Sequence, residues 1–153
     1  MSGVPRIAVE AADYHAMMFQ NPSLEELRAL LQRVKSIAVV GYSPKPERPS
    51  HRVAAALQAR GYRIVPVRPA ITEGLGETAY ARLRDLPEVP DLVDVFRQPA
   101  AVDAIVDDCI ALGVKNLCLQ DCVIKEPAAL RAQAAGMLVV MDRCTLRDQG
   151  LLA

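Results

Sequence analysis

Short, unbroken apolar runs rich in β-branched residues recur along this chain and constrain it more than any other feature. Ile37-Ala38-Val39-Val40 stops at Gly41. Arg63–Val67, Asp91–Phe96, Val114–Leu119 and Leu138–Met141 are further runs of this kind. A run without polar alternation suits a strand covered on both faces, as in a parallel sheet. Helical patterns lie between the runs. Leu24, Leu27, Leu30, Leu31 and Val34 recur at helical spacing behind Ser23, a fitting N-cap, and that helix ends near Lys35. Residues 50–60 carry Val53, Ala54 and Leu57, with Ser50 expected as cap and Gly61 just past the end. Residues 99–112 place Val102, Ile105, Val106 and Cys109 on one face before Gly113, and residues 127–135 close at Gly136.

Strands alternating with helices imply βαβ units. The expected fold class is α/β: a single Rossmann-like domain, doubly wound, with a mostly parallel sheet flanked by helices. Pro66 sends its strand toward an edge. Residues 70–90 read as loop with a short strand and a short helix. The expected organisation is an N-terminal extension over 1–22, a domain over 23–146 and a tail over 147–153. The cluster of Tyr14, Met17, Met18 and Phe19 is expected to pack on the domain or on a second subunit.

A length of 153 residues is one domain's worth. Eighteen basic residues balance eighteen acidic ones, which argues against nucleic acid and anionic membrane as partners. Four cysteines in a chain of this length do not form a disulfide scaffold. No stretch reaches the roughly 18 apolar residues of a membrane helix. Met1–Glu10 carries Pro5, Arg6 and Glu10 where a signal peptide needs an apolar run. The chain therefore reads as cytoplasmic.

In sheets of this kind a ligand sits outside the carboxyl ends of the strands. That rule selects Gly41-Tyr42-Ser43, Val67-Arg68-Pro69, Phe96-Arg97-Gln98 and Leu119-Gln120-Asp121. The first is the best phosphate candidate, because it runs into a helix N-terminus. Neither the glycine-rich dinucleotide fingerprint nor the Walker pattern is present. Pro44, Pro46 and Pro49 suggest a stiff loop that presents side chains. Between Tyr42 and Ala70, six cations (Lys45, Arg48, Arg52, Arg60, Arg63, Arg68) face Glu47 alone; between Asp85 and Asp108, acids predominate. Arg48, His51 and Arg68 are candidates to converge on phosphates.

The residues so assembled resemble a known family. Residues 37–43, Arg48-Pro49-Ser50-His51-Arg52-Val53, residues 61–69, Leu75-Gly76-Glu77, Asp94–Arg97, Leu119-Gln120 and residues 139–144 are similar, in order and spacing, to the small stand-alone CoA-binding proteins. Those proteins are related to the CoA-binding domain of succinyl-CoA synthetase α subunits. The resemblance spans about residues 30–146. It implies that Gly41, Tyr42 and Ser43 contact a pyrophosphate with Arg48 and Ser50 nearby. It implies that Val67, Arg68 and Pro69 approach the adenosine and its 3′-phosphate, and that Phe96, Arg97 and Gln120 line the rest of the groove. Arg68 stands where the family usually has Asn. Asp121 and Cys122 stand where it usually has an aliphatic residue and glycine.

Ser43 or Ser50, His51 and Asp94 can be assembled into a triad on paper, but no nucleophile elbow supports it. His15 reads as a surface residue. Cys118 reads as a buried strand residue, Cys122 as an unreactive loop thiol and Cys144 as structural; no metal site is expected. The expectation is a binder of coenzyme A or an acyl-CoA, more a carrier, sensor or regulator than an enzyme. Two alternatives stand beside it. One is an oxidoreductase binding NADP, whose 2′-phosphate Arg68 would accept, or another nucleotide. The other is an interaction module partnering a separate acyl-CoA synthetase subunit. A homodimer stays open.

Overall fold

The structure is a computed structural model that describes residues 18–150. Helix α1 (Leu24–Arg33) leads into β1 (Ser36–Val40), α2 (Pro49–Ala59) and β2 (Arg63–Val67). A hairpin of two-residue strands follows, β3 (Glu73–Gly74) and β4 (Glu77–Thr78), then a 3₁₀ turn at Leu83–Asp85. β5 (Leu92–Val95), α3 (Val102–Leu112), β6 (Asn116–Leu119), α4 (Glu126–Ala134), β7 (Leu138–Val140) and α5 (Thr145–Gln149) complete it.

Five strands form one sheet in the order β2-β1-β5-β6-β7, and every pairing is parallel. Side chains alternate between its faces. Ala38, Val40, Val93, Val95, Leu117 and Leu119 pack with α3 and α4 on one side. Ile37, Val39, Ile64, Leu92 and Cys118 pack with α1 and α2 on the other. Both faces are therefore buried, which is why the strands carry unbroken apolar runs. This is the expected Rossmann-like single domain.

Local chemistry accounts for the boundaries. Ser23 caps α1 in a reciprocal capping box: its Oγ accepts from Glu26 N at 3.2 Å, and Glu26 Oε1 accepts from Ser23 N at 3.4 Å. β2 lies at the sheet edge, as Pro66 suggests, and its outer rim is partly covered by Tyr80, whose N–H donates to Pro66 O at 3.0 Å. The α1 stripe covers the sheet with buried Leu27 and Leu30.

Two expectations are corrected. Ser50 does not cap α2; the N-cap is Arg48, and Ser50 accepts from the Ser43 N–H instead. Pro at N1 moves the helix start one residue earlier, because its fixed φ suits the first turn. The chain also does not become a tail at 147. Residues 145–149 form α5, with Thr145 and Asp148 buried. Five residues are too few to show periodicity, so tertiary contacts hold this helix. The described end of the N-terminal segment contacts the domain: Asn21 clamps Met141 through its side chain, accepting from Met141 N at 2.8 Å and donating to Met141 O at 3.0 Å. Phe19 N donates to Glu126 Oε1 at 3.1 Å. Tyr14, His15 and Met17 lie outside the described residues, as do residues 151–153.

Candidate functional site

β1 is flanked by β2 and β5, and the connections from it and from β5 leave in opposite directions across the sheet. That makes the carboxyl ends of β1 and β5 the topological switch point, where diverging loops open a crevice. Gly41 sits there with φ +86°, and a Cβ at this position would lie 2.3 Å from the Phe96 carbonyl oxygen. Phe96 N donates to Val40 O at 2.8 Å and Gly41 N to Val67 O at 3.0 Å, so three strand ends converge on one glycine. No residue with a side chain fits that approach.

The crevice is a cleft of about 540 Å³. The loop after β1 contributes Gly41, Ser43, Lys45 and Arg48, and the start of α2 contributes Pro49 and Ser50. Arg68, Phe96 and Arg97 come from the ends of β2 and β5, and Gln120, Asp121 and Cys122 from the end of β6. A second cleft of about 600 Å³ adjoins it on the α3 side and shares Gly41, Arg68, Phe96 and Arg97. Val67, Pro69 and Arg82 line the second cleft. Together they make a groove across the carboxyl edge of the sheet.

The sequence-predicted site residues separate into three groups. Gly41, Ser43, Arg48, Ser50, Arg68, Phe96, Arg97 and Gln120 line the first cleft, while Val67 and Pro69 line only the second. Tyr42 and His51 line neither. Tyr42 is 1% exposed, with its ring against Gly74 of the hairpin. Its hydroxyl lies 3.2 Å from His51 Nδ1, which is also 3.1 Å from the Ser43 carbonyl oxygen. With both contacts made at Nδ1, His51 braces the loop from behind. Burial raises the Tyr42 phenol above its ordinary range. The triad drawn on paper is not assembled among the described residues: Asp94 instead accepts from Gln120 Nε2 and Thr145 Oγ1, each at 2.7 Å.

The loop holds itself in shape. Ser43 N donates to Ser50 Oγ at 3.0 Å, and Lys45 N donates to Ser43 Oγ at 3.2 Å. These bonds leave the Lys45 and Arg48 side chains on the cleft wall. The N-terminus of α2 has no side-chain cap and no acidic residue in its first turn. Its positive dipole end therefore faces the cleft uncompensated. Lys45, Arg48, Arg68 and Arg97 take part in no salt bridge among the described residues; Arg28, Arg33, Arg52, Arg60 and Arg82 take part in none either, but the first four share one cleft. Among the described residues the Arg68 guanidinium donates only to Tyr42 O, at 3.4 Å.

The opposite wall is different. Asp121 accepts both guanidinium nitrogens of Arg147, at 2.8 and 3.0 Å, and this contact holds its carboxyl below the usual range. Cys122 is exposed with φ +66°, and its N–H donates to Asp142 Oδ1 at 2.7 Å. Behind this wall Asp94 is fully buried, and desolvation pushes its carboxyl up to about 6. Cys118 is buried beside it; burial, with the Asp94 carboxylate second, pushes its thiol well up, which makes it inert. Among the described residues no group of histidine, cysteine and acidic side chains is placed to hold a metal, and no helix is long and apolar enough to cross a membrane.

Sequence reasoning counted Lys45 in the basic stretch without selecting it for the site, and passed over Arg82 and Arg147. Lys45 sits in the same proline-rich loop as Arg48, and its spacing was the available signal. Arg147 had none, since it reaches the site only through the packing of α5.

Comparison with known proteins gives a consistent picture. The family model described as CoA binding domain matches residues 35–149. A Bacillus subtilis protein named as the uncharacterized protein YneT is 38% identical over 125 residues, covering 82% of this chain and 93% of the relative. A structure from Thermus thermophilus, cell-free ID.343, is 39% identical with TM-score 0.80, covering 86% of this chain and all of the other. The apo dinucleotide-forming acetyl-coenzyme A synthetase 1 of Ca. Korarchaeum cryptofilum is 24% identical with TM-score 0.65, over 78% of this chain and 28% of its own. That last likeness is one of fold.

Proposed function

This chain belongs to the CoA-binding domain family, and on that premise we propose that it binds coenzyme A or an acyl-CoA in the groove over the carboxyl edge of the sheet, as a carrier, sensor or regulator without catalysis of its own. The observation that carries the reading is the set of cations without carboxylate partners. Lys45, Arg48, Arg68 and Arg97 come together on one cleft around the open N-terminus of α2, and none of them has a carboxylate partner among the described residues. Four unmatched charges around one cleft fit a polyanion, and charge-assisted hydrogen bonds to phosphate are the strong kind. CoA carries a pyrophosphate and a 3′-phosphate, and it is long enough to occupy both clefts.

In this reading Gly41, Ser43, Arg48 and Ser50 hold the pyrophosphate, with Lys45 adding charge. Arg68, at the seam of the two clefts, takes the 3′-phosphate, and Val67 and Pro69 lie along the adenosine. Phe96, Arg97 and Gln120 line the path of the pantetheine. Tyr42 and His51 contribute by bracing the loop rather than by touching ligand. No nucleophile–base pair opens into the groove among the described residues, because His51 is engaged with Tyr42 and Ser43.

The test is calorimetry on reduced, ligand-stripped protein with CoA, acetyl-CoA, dephospho-CoA, NADP and NAD. The expected result is saturable CoA binding, weaker for dephospho-CoA and weaker again in Arg68→Ala. Binding of NADP alone would move the chain to the oxidoreductase reading. No binding at all would turn the search to a protein partner such as a synthetase subunit.

A further inference from the structure

The cleft contains a contradiction in charge. Its near wall presents four unmatched cations, yet Asp121 places a carboxylate on the far wall. Alone, that carboxylate would repel a phosphate-bearing ligand and compete for the cations meant for it. It is not alone. Arg147, projecting from α5, grips both of its oxygens at 2.8 and 3.0 Å, in the fork geometry that pairs guanidinium with carboxylate. Asp121 and Arg147 are about half-exposed, at 48% and 62% of the side chain. A pair so exposed adds little to folding.

We propose that Arg147 is a binding determinant of the groove, masking the Asp121 carboxylate so that an anionic ligand can lie against the Gln120–Cys122 wall. The inference rests on the reading of the groove as a polyanion site. Two sets of contacts hold its geometry. α5 is docked beside the wall by its own contacts: Thr145 Oγ1 accepts from Gln120 Nε2 at 2.7 Å and donates to Asp94 Oδ2 at 2.7 Å. Arg143 pairs with the buried Asp148 through a two-point contact at 2.6 and 3.0 Å. These bonds, not the Arg147–Asp121 pair, keep the helix in place, so Arg147 is free to serve the cleft. The Asp121 carboxyl, held below the usual range by the same contact, stays ionised at neutral pH and keeps needing its mask.

A charge-reversal logic tests it. CoA and inorganic pyrophosphate are titrated into wild type, Arg147→Ala, Arg147→Lys, Asp121→Asn and the Arg147→Ala/Asp121→Asn double variant, each checked for an unchanged melting profile. Unmasking one charge beside a phosphate ligand at partial solvent screening should weaken CoA roughly 3- to 10-fold in Arg147→Ala. Arg147→Lys should stay within about twofold, since charge and not the fork does the masking. Removing Asp121 as well should restore binding to the level of Asp121→Asn, and the Arg147→Ala defect should shrink as salt rises. Wild-type affinity in Arg147→Ala would overturn the inference while leaving CoA binding intact. A double variant as weak as Arg147→Ala would also overturn it, because Arg147 would then be touching the ligand itself. If wild type binds neither CoA nor pyrophosphate, the reading of the groove fails and the inference falls with it.

Discussion

A methyl group on Gly41 would press to 2.3 Å from the Phe96 carbonyl oxygen, at a φ of +86° that L residues rarely adopt. Gly41→Ala should therefore cost about 3 kcal/mol or more in denaturant unfolding, by clash and by backbone strain together. It should also disturb the seam between the two clefts. Asp94 offers a different check. Its folded carboxyl titrates near 6 because burial outweighs the hydrogen bonds from Gln120 and Thr145, against 3.8 for the ordinary group. The folded state thus holds its proton more tightly than the unfolded one. Stability should fall as pH rises between about 4 and 6, by roughly 3 kcal/mol, and then level off. Asp94→Asn should flatten that slope in melts across pH and match or exceed wild type at pH 7. At this scale the sequence showed which residues were charged or small. It did not show which way they point: Tyr42 and His51 belong to the same motif as Gly41 and Ser43, yet one turns under the hairpin and the other turns onto Tyr42.

Among the elements, α1 and α5 mark the two extremes of legibility. α1 announces itself with Ser23, Glu26 and a leucine stripe, all local signals, and it forms as read. Ser23→Ala removes the arm of the capping box that its Oγ accepts from Glu26 N and should cost about 1 kcal/mol, measured as a shift in the unfolding midpoint. α5 has almost no local signal. Its five residues are held by Thr145 on Asp94 and Gln120, by Arg143 on Asp148, and by Arg60, which donates to Leu146 O at 3.2 Å. Thr145→Val keeps the shape but strips a buried carboxylate oxygen and a buried amide of their shared partner. It should cost about 1–3 kcal/mol, and it should weaken ligand binding too, because Gln120 and Asp121 form one wall of the cleft. Melting temperatures and CoA titration on the same protein check both effects. α2 lies between these cases: its stripe and closing glycine are legible, while its start depended on Pro49 and on Ser50 being occupied by Ser43.

For the whole molecule the expectation is electrostatic. Binding that rests on Lys45, Arg48, Arg68 and Arg97 at the mouth of an open groove should weaken steadily with salt, and Arg48→Ala should flatten that dependence; titrations across ionic strength check it. The chain by itself determined the fold class. Runs without polar alternation need cover on both faces, and glycines and prolines in order mark where the chain turns, so five parallel strands and their helices were present in local pattern. It also determined that charge collects in the first half of a neutral protein. Only the tertiary structure decided which of those charges meet. Sheet order brings the ends of β1, β2, β5 and β6 to one edge although they are scattered from Gly41 to Gln120, and it leaves Arg60 and Arg63 at the other end of their elements. Placing Arg147 against Asp121 required the docking of α5, a long-range event. The physical reason is one of range. Strand and helix patterns depend on neighbours along the chain, whereas the partner of a charged side chain depends on which distant segments the packed core brings alongside it.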